Sequence, residues 1–238
     1  MNTTTWFIIL IAVGMTLQGC FIAAEYKKKW LAAVILKGLA SVFFVTVGLV
    51  AYDAVGKLDP TVILEGHKFA AFVKVGLVFG LLGDVALNLR FVFEKIGQKF
   101  FLGGIFLFLV GHIMYLLALI PISVHPIPAA IVGAVLAAAL LAYIFKTMEV
   151  KKVFKIFGVV YLGAVIIMTA IALDIAIFAG HTLGIVYAIG AVLFTASDII
   201  LIFNTFSGGE PKFSKRICNL SLYYIGQILI ALSIYFIK

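Results

Sequence analysis

Charge is what this sequence has least of. Only 12% of its 238 residues are Asp, Glu, Lys or Arg while 65% are hydrophobic, against roughly 25% charged and 45–50% apolar in soluble domains. With a mean hydropathy of +1.25, a water-soluble fold is excluded. Cysteine is almost absent too: Cys20 and Cys218 stand alone, far apart, with no metal-type or redox-type spacing, and read as reduced structural thiols. Proline occurs five times, at Pro60, Pro121, Pro126, Pro128 and Pro211, always where one apolar run gives way to the next. There is no Gly-x-Ser-x-Gly elbow, no His-Glu-x-x-His pair and no Walker loop, which removes the commonest serine, zinc and nucleotide chemistries.

What is there is a series of long apolar runs. Stretches free of charge, such as Trp6 to Ala24, match the roughly 20 residues a helix needs to cross hydrocarbon. The pattern predicts an all-α membrane protein, a single transmembrane domain with a bundle of eight helices near 4–24, 31–52, 67–90, 100–120, 126–146, 153–179, 181–204 and 214–237. The breakers Asp59-Pro60, Pro121 to Pro128 and Ser207 to Pro211 mark boundaries, and Gly180-His181 divides the sixth helix from the seventh. The amino terminus lacks the basic region of a signal peptide, so the first helix is expected to remain.

The net charge of +8 does not imply nucleic acid, because the basic residues fall in short clusters between apolar runs. Loops one, three, five and seven hold most of them, among them Lys27, Lys28, Lys29, Arg90, Lys95, Lys151, Lys152, Lys212 and Arg216, whereas Lys57, Lys68 and Lys238 lie on the other side. By the positive-inside rule the chain is expected in the cell membrane with both termini away from the cytoplasm.

Laid over one another at an offset of 114 or 115 residues, the halves place Asp84 on Asp198, and the Gly111-His112 segment of helix four on the Gly226-Gln227 segment of helix eight. Four helices per half would make these parallel repeats. A carboxylate inside hydrocarbon is costly to keep, so Asp84 and Asp198 are the first candidates for function. Each precedes a polar residue at the expected cytoplasmic helix end, Arg90 or Asn204, by six positions, about 9 Å at 1.5 Å per residue, which puts the two at similar depth. Asn88 lies one turn from Asp84 on the same face. Phe101, Gly104, Phe108, His112 and Tyr115 form one stripe of helix four, and Tyr223, Tyr224 and Gln227 a second aromatic and amide face on helix eight. Lys37 and Tyr161 complete the set.

Each of these also has a plainer reading. Asn88, Tyr161, Tyr224 and Gln227 suit hydrogen-bonded helix contacts, His112 a satisfied core histidine, and Lys37 a lysine that snorkels to the headgroups. Lys74 and Asp174 read as a structural ion pair, and His67, His125 and His181 as solvated at outer loops. Gly76 to Gly80 and Gly180 to Gly184 read as close helix contacts. A zinc ion would have to take Asp84, Asp198 and His112 together, an uncommon set, so no metal or other cofactor is expected.

Taken in order, Gly80-Leu81-Leu82-Gly83-Asp84-Val85-Ala86-Leu87, Gly111-His112-Ile113-Met114-Tyr115, Gly190 to Asp198, and Tyr223-Tyr224 with Gln227 resemble the YhhN-like family of membrane lysoplasmalogenases. The resemblance runs from Lys37 to Gln227, departing where the family tends to have Lys-Pro-Leu and this chain has Lys37-Gly38-Leu39. It implies hydrolysis of the vinyl ether of a lysophospholipid held in the membrane, giving a fatty aldehyde and glycerophosphoethanolamine or glycerophosphocholine. Vinyl-ether hydrolysis needs an acid to protonate carbon and an anion to steady the oxocarbenium ion. Asp84 and Asp198 are the expected pair, with roles unassigned, since two close carboxylates in a low dielectric do not both ionise. His112 and Tyr161 would orient water or the glycerol oxygen, Asn88, Tyr224 and Gln227 would hold the headgroup or water, and Lys37 the phosphate, with Tyr115 and Tyr223 as further substrate-binding or supporting residues. The rival readings are a transporter or proton-coupled carrier, and a lipid-binding membrane protein without catalysis.

Overall fold

A computed structural model describes residues 2–55, 63–150, 152–208 and 210–237. The boundary expected at Asp59-Pro60 and the loop residues Lys57, Lys151 and Lys238 lie outside the described residues. The expected all-α, eight-helix fold is what the structure shows: α1 Thr3–Tyr26, α2 Trp30–Val55, α3 Ile63–Val92, α4 Gly97–Leu119, α5 Pro126–Thr147, α6 Lys152–Asp174, α7 Thr182–Phe206 and α8 Phe213–Ser233. Among the described residues there is no strand. Eight helical segments are long and apolar enough to cross a membrane, and large aliphatic side chains such as Ile8, Ile127 and Val135 stand 62–72% exposed. A surface of that kind is stable facing lipid tails, and the chain is a multi-pass membrane protein.

The ends of the helices follow local chemistry. Asn2 caps α1, its Oδ1 accepting from the Thr5 backbone N–H at 2.8 Å. The junction at Gly180 is made by a single π-helical turn, Ile175–Ala179. Gly180 closes it in the left-handed region at φ 65°, its N–H donating to the Ile175 carbonyl at 3.2 Å, a conformation that glycine adopts without a Cβ penalty. The expected small-residue pair at 180 and 184 therefore divides: Gly180 ends a helix, and only Gly184 is a packing glycine, pressed on Ile175.

The chain forms two compact units, Met1–Ala118 with Ala231–Lys238, and Leu119–Ile230. In the first, α2 packs on α1, α3 and the short 3-10 turn Ile234–Phe236. Small residues on one face of α2, Ala33, Ala40, Gly48 and Ala51, are buried and admit their neighbours closely. α3 and α4 meet at glycine: a Cβ on Gly76 would lie 3.0 Å from the Gly111 carbonyl oxygen, and one on Gly111 would lie 3.1 Å from that of Gly76. In the second unit α5 packs on α6 and α6 on α7, around Ala137, Leu141, Ile144, Met148, Leu162 and Ile166. α7 and α8 again meet at glycine, where a Cβ on either Gly190 or Gly226 would lie 2.8 Å from the other's carbonyl oxygen.

These two contacts carry the sequence repeat into structure. Gly190 is 114 residues after Gly76 and Gly226 is 115 after Gly111, and in each unit the aspartate follows its α3 or α7 glycine by eight residues. The repeat is thus a repeated helix crossing with a carboxylate two turns beyond it.

Lys74 and Asp174 do not form the expected ion pair. Lys74 Nζ sits over the Tyr52 ring, 3.4 Å from its centroid, and the Tyr52 hydroxyl meets His67 Nδ1 at 2.8 Å. Asp174 instead secures the approach to α5: its Oδ2 accepts from Ser123 Oγ at 2.6 Å and from the backbone N–H groups of Val124 and His125 at 2.9 Å. His125 Nδ1 lies 3.2 Å from its Oδ1. These donors sit at the orphaned amino end of a helix, where a carboxylate is the natural acceptor.

Because a methyl group at Gly226 would collide with backbone, Gly226→Ala should destabilise the protein by about 1–3 kcal/mol. Gly163→Ala, where a Cβ meets nothing within 4 Å, should not. Thermal unfolding of the two variants in the same detergent checks the contrast.

Candidate active site

In the first unit a polar cluster gathers on α2 and α3. Asp84 is 4% exposed and Lys37 1%, and Lys37 Nζ lies 3.4 Å from Asp84 Oδ2. The same ammonium donates to Gln18 Oε1 at 3.4 Å and lies 5.4 Å from the centre of the Phe21 ring. Ser41, one turn after Lys37 on α2, brings its Oγ to 2.5 Å from Asp84 Oδ2 and 2.9 Å from the Lys37 carbonyl oxygen. Lys37 therefore does not snorkel; it is held as the cation of a buried ion pair, to which Ser41 and Gln18 add hydrogen bonds.

Asn88 is also buried. Its Nδ2 donates to the Asp84 backbone carbonyl at 2.9 Å. His112, 1% exposed, is fixed through Nδ1, which as the partner of a carbonyl must donate, to the Phe108 oxygen at 2.7 Å. Its ring meets Tyr115 edge to face at 5.7 Å. Glycines set this stripe against α3: the Phe108 ring fills the space where Gly83 would carry a Cβ, Leu87 fills that of Gly104, and the Tyr115 ring that of Gly76. The stripe of helix four is real, and its Tyr115 serves as packing against the glycine crossing.

In the second unit Asp198, 5% exposed, accepts from the Tyr161 hydroxyl through Oδ2 at 2.6 Å. Asp84 is thus served from α2 and Asp198 from α6, the second helix of each unit, but by different chemistry. Among the described residues of its unit, no lysine, arginine or histidine pairs with Asp198. Its neighbour Ser197 is clamped by Asn219, whose Nδ2 donates to both the Ser197 carbonyl and Oγ at 2.8 Å. Arg216 Nη1 donates to Asn219 Oδ1 at 3.4 Å. A second clamp holds the turn into α8: Asn204 Oδ1 accepts from the Lys212 N–H at 2.9 Å, and Asn204 Nδ2 donates to its carbonyl at 3.2 Å. Gln227 Nε2 donates to the Tyr223 hydroxyl at 3.5 Å, and Tyr223 meets Phe194 edge to face at 5.3 Å. Tyr224 is 1% exposed in the same α8 face.

The structure brings Lys37, Asp84 and Asn88 together in one unit, with His112 and Tyr115 on the adjoining α4. It brings Tyr161 and Asp198 together in the other, which also holds Tyr223, Tyr224 and Gln227. Sequence reading missed Gln18, Ser41 and Asn219. Ser41 was findable as the residue four after Lys37, and Gln18 as a lone amide in a charge-free run. Nothing in the spacing of Asn219 marks it.

A membrane-spanning all-α protein with a buried aspartate at the repeated position of each of two helical units, Asp84 and Asp198, is the class these features define. Residues 44–234 match the YhhN family, the family of lysoplasmalogenases, and the chain belongs to it. The matched span holds both aspartates, Asn88, His112, Tyr161 and Gln227, while Gln18, Lys37 and Ser41 precede it. Neither a curated protein nor a solved structure matches the chain. The family is associated with hydrolase activity of the lysoplasmalogenase type.

The Lys37–Asp84 pair is testable as a unit. Lys37→Met, which leaves a buried charge alone, should destabilise the protein by about 3–5 kcal/mol. Adding Asp84→Asn to Lys37→Met should recover most of that loss. Unfolding of the wild type, the single and the double variant in detergent reads the coupling directly.

Proposed function

We propose that the chain hydrolyses the vinyl ether of lysoplasmalogens within the membrane, with Asp198 as the acid and Asp84 as the anion. The observation that carries this reading is the difference between two repeated positions: an ammonium beside Asp84, and a phenol beside Asp198. A charge in hydrocarbon is costly unless paired. Lys37 balances a carboxylate at Asp84, whereas Tyr161 offers Asp198 a neutral donor and suits a carboxylic acid whose Oδ2 is the carbonyl and whose Oδ1 carries the proton.

The chemistry then balances. Asp198 delivers its proton to the alkenyl carbon β to the ether oxygen, and the double bond's electrons form the new C–H bond, leaving an oxocarbenium ion. A carboxylate charge is needed to stabilise that cation, and this role is assigned to Asp84. Water adds to the cationic carbon as Asp198, now a carboxylate, takes one of its protons back, and a hemiacetal results. The hemiacetal collapses as its hydroxyl proton passes to the glycerol oxygen, releasing the aldehyde and the glycerophospho-alcohol. His112, fixed through Nδ1 to the Phe108 carbonyl, is assigned to orient water or the glycerol oxygen, and Gln227 and Tyr224 supply polar groups in the second unit. With Lys37 engaged by Asp84, the lipid phosphate falls to groups nearer the membrane surface. The distribution of basic residues supports a cell-membrane topology with both termini away from the cytoplasm.

Aldehyde release from a lysoplasmalogen should fall about 10²–10⁴-fold in Asp198→Asn and about 10²–10³-fold in Asp84→Asn. Tyr161→Phe should lose about tenfold, the worth of one hydrogen bond to the acid. If the carboxylates act in one reaction, the double variant should be little worse than the poorer single. Wild-type turnover in both single variants, or none in the wild type, would sink the proposal.

A further inference from the structure

Asn88 holds an unmet hydrogen bond beside the proposed site. The side chain is 4% exposed, and its Nδ2 is committed to the Asp84 carbonyl. Because a carbonyl can only accept, the orientation of the amide is fixed by chemistry, leaving Oδ1 as the free end. Among the described residues nothing donates to that oxygen, although it is buried. A buried acceptor without a donor costs about 1–3 kcal/mol, and such an atom marks a place where a ligand's donor completes the site.

Position says which donor. Asn88 is four residues beyond Asp84 on the same face of α3, toward the end of the helix at Val92, about 6 Å along the axis. A lysolipid lies in the membrane with its chain inward and its headgroup at the surface. With the vinyl ether at Asp84, the next group outward is the glycerol backbone, whose free hydroxyl sits on the carbon beside the ether-bearing one. The ammonium of an ethanolamine headgroup lies further out, beyond the phosphate. We infer that Asn88 Oδ1 accepts a hydrogen bond from the free sn-2 hydroxyl of the lysolipid. This rests on the lysoplasmalogenase reading and deepens it: Asn88 is the residue by which the site distinguishes a lysolipid from a lipid acylated at that oxygen. A site built to bond a hydroxyl rejects an analogue lacking it far more strongly than an apolar pocket rejects a small change in size.

The test uses ligands that bind but cannot react. Saturated 1-O-hexadecyl lysolipids, with ethanolamine or choline headgroups, and their sn-2-deoxy counterparts are compared by equilibrium competition on the full-length protein in detergent. The wild type should bind the hydroxyl forms about tenfold more tightly than the deoxy forms, one net hydrogen bond plus relief of a buried acceptor, with either headgroup. In Asn88→Leu and in Asn88→Ala the ratio should fall to about one. The ligand-free Asn88→Leu protein should unfold within about 1 kcal/mol of wild type, since loss of the Nδ2 hydrogen bond to the Asp84 carbonyl is offset by removal of a buried oxygen that had no donor. Equal binding of hydroxyl and deoxy forms by the wild type, a ratio that survives both substitutions, or an Asn88-dependent preference for ethanolamine over choline would each overturn the assignment, as would failure of the wild type to bind either probe. Aldehyde release from the vinyl ether is scored separately. Its absence with the binding ratio intact would reject the hydrolase reading while upholding the hydroxyl contact.

Discussion

An ion pair buried in a membrane-spanning helical unit constrains everything around it. Lys37 and Asp84 are each too costly to leave alone in a medium without water, so α2 and α3 must hold a fixed register, and their neighbours must supply the polar contacts the pair still needs. Ser41 and Gln18 do this. The close approach of α4 to α3 is met by glycine at 76, 83, 104 and 111, where the neighbours crowd the place of a Cβ. The same packing that keeps the carboxylate dry keeps it aligned, which is how a membrane bundle can hold a charge for use and not merely tolerate it.

The second unit repeats the glycine crossing and the aspartate but not the cation. Tyr161 stands at Asp198 in place of a lysine, and Asn219 and Asn204 lock α7 against α8 and the turn between them. A duplicated scaffold that keeps the position of a carboxylate while changing its partner yields two acids of different character from one architecture. Acid chemistry on a vinyl ether asks for that inequality: one group to give a proton and one to face the cation that results.

Much of the scaffold was legible in the sequence because the membrane imposes length and hydropathy on every span, and because glycine, unlike other residues, records backbone contact in its identity. The match of Gly111 and Asp84 with Gly226 and Asp198 could be seen at an offset, and the structure added Gly76 and Gly190 as the other halves of two repeated contacts. Side-chain pairing was less legible. Lys37 looked like a phosphate ligand near the surface, since its spacing to Asp84 carries no information on how α2 lies against α3. Lys74 and Asp174 share a sign complementarity that tertiary placement did not use: one rests on Tyr52 and the other closes the approach to α5. The π-turn before Gly180 depends on a hydrogen-bond choice that helix propensity does not encode.

The unequal charge proposed for the two aspartates is open to direct observation by infrared difference spectroscopy on the protein in lipid. A protonated carboxylic acid has a carbonyl stretch distinct from that of a carboxylate and sensitive to deuterium exchange. The wild type should show such a band at neutral pH, Asp84→Asn should retain it, and Asp198→Asn should lose it. A band that survives Asp198→Asn and disappears in Asp84→Asn would contradict the assignment of acid and anion.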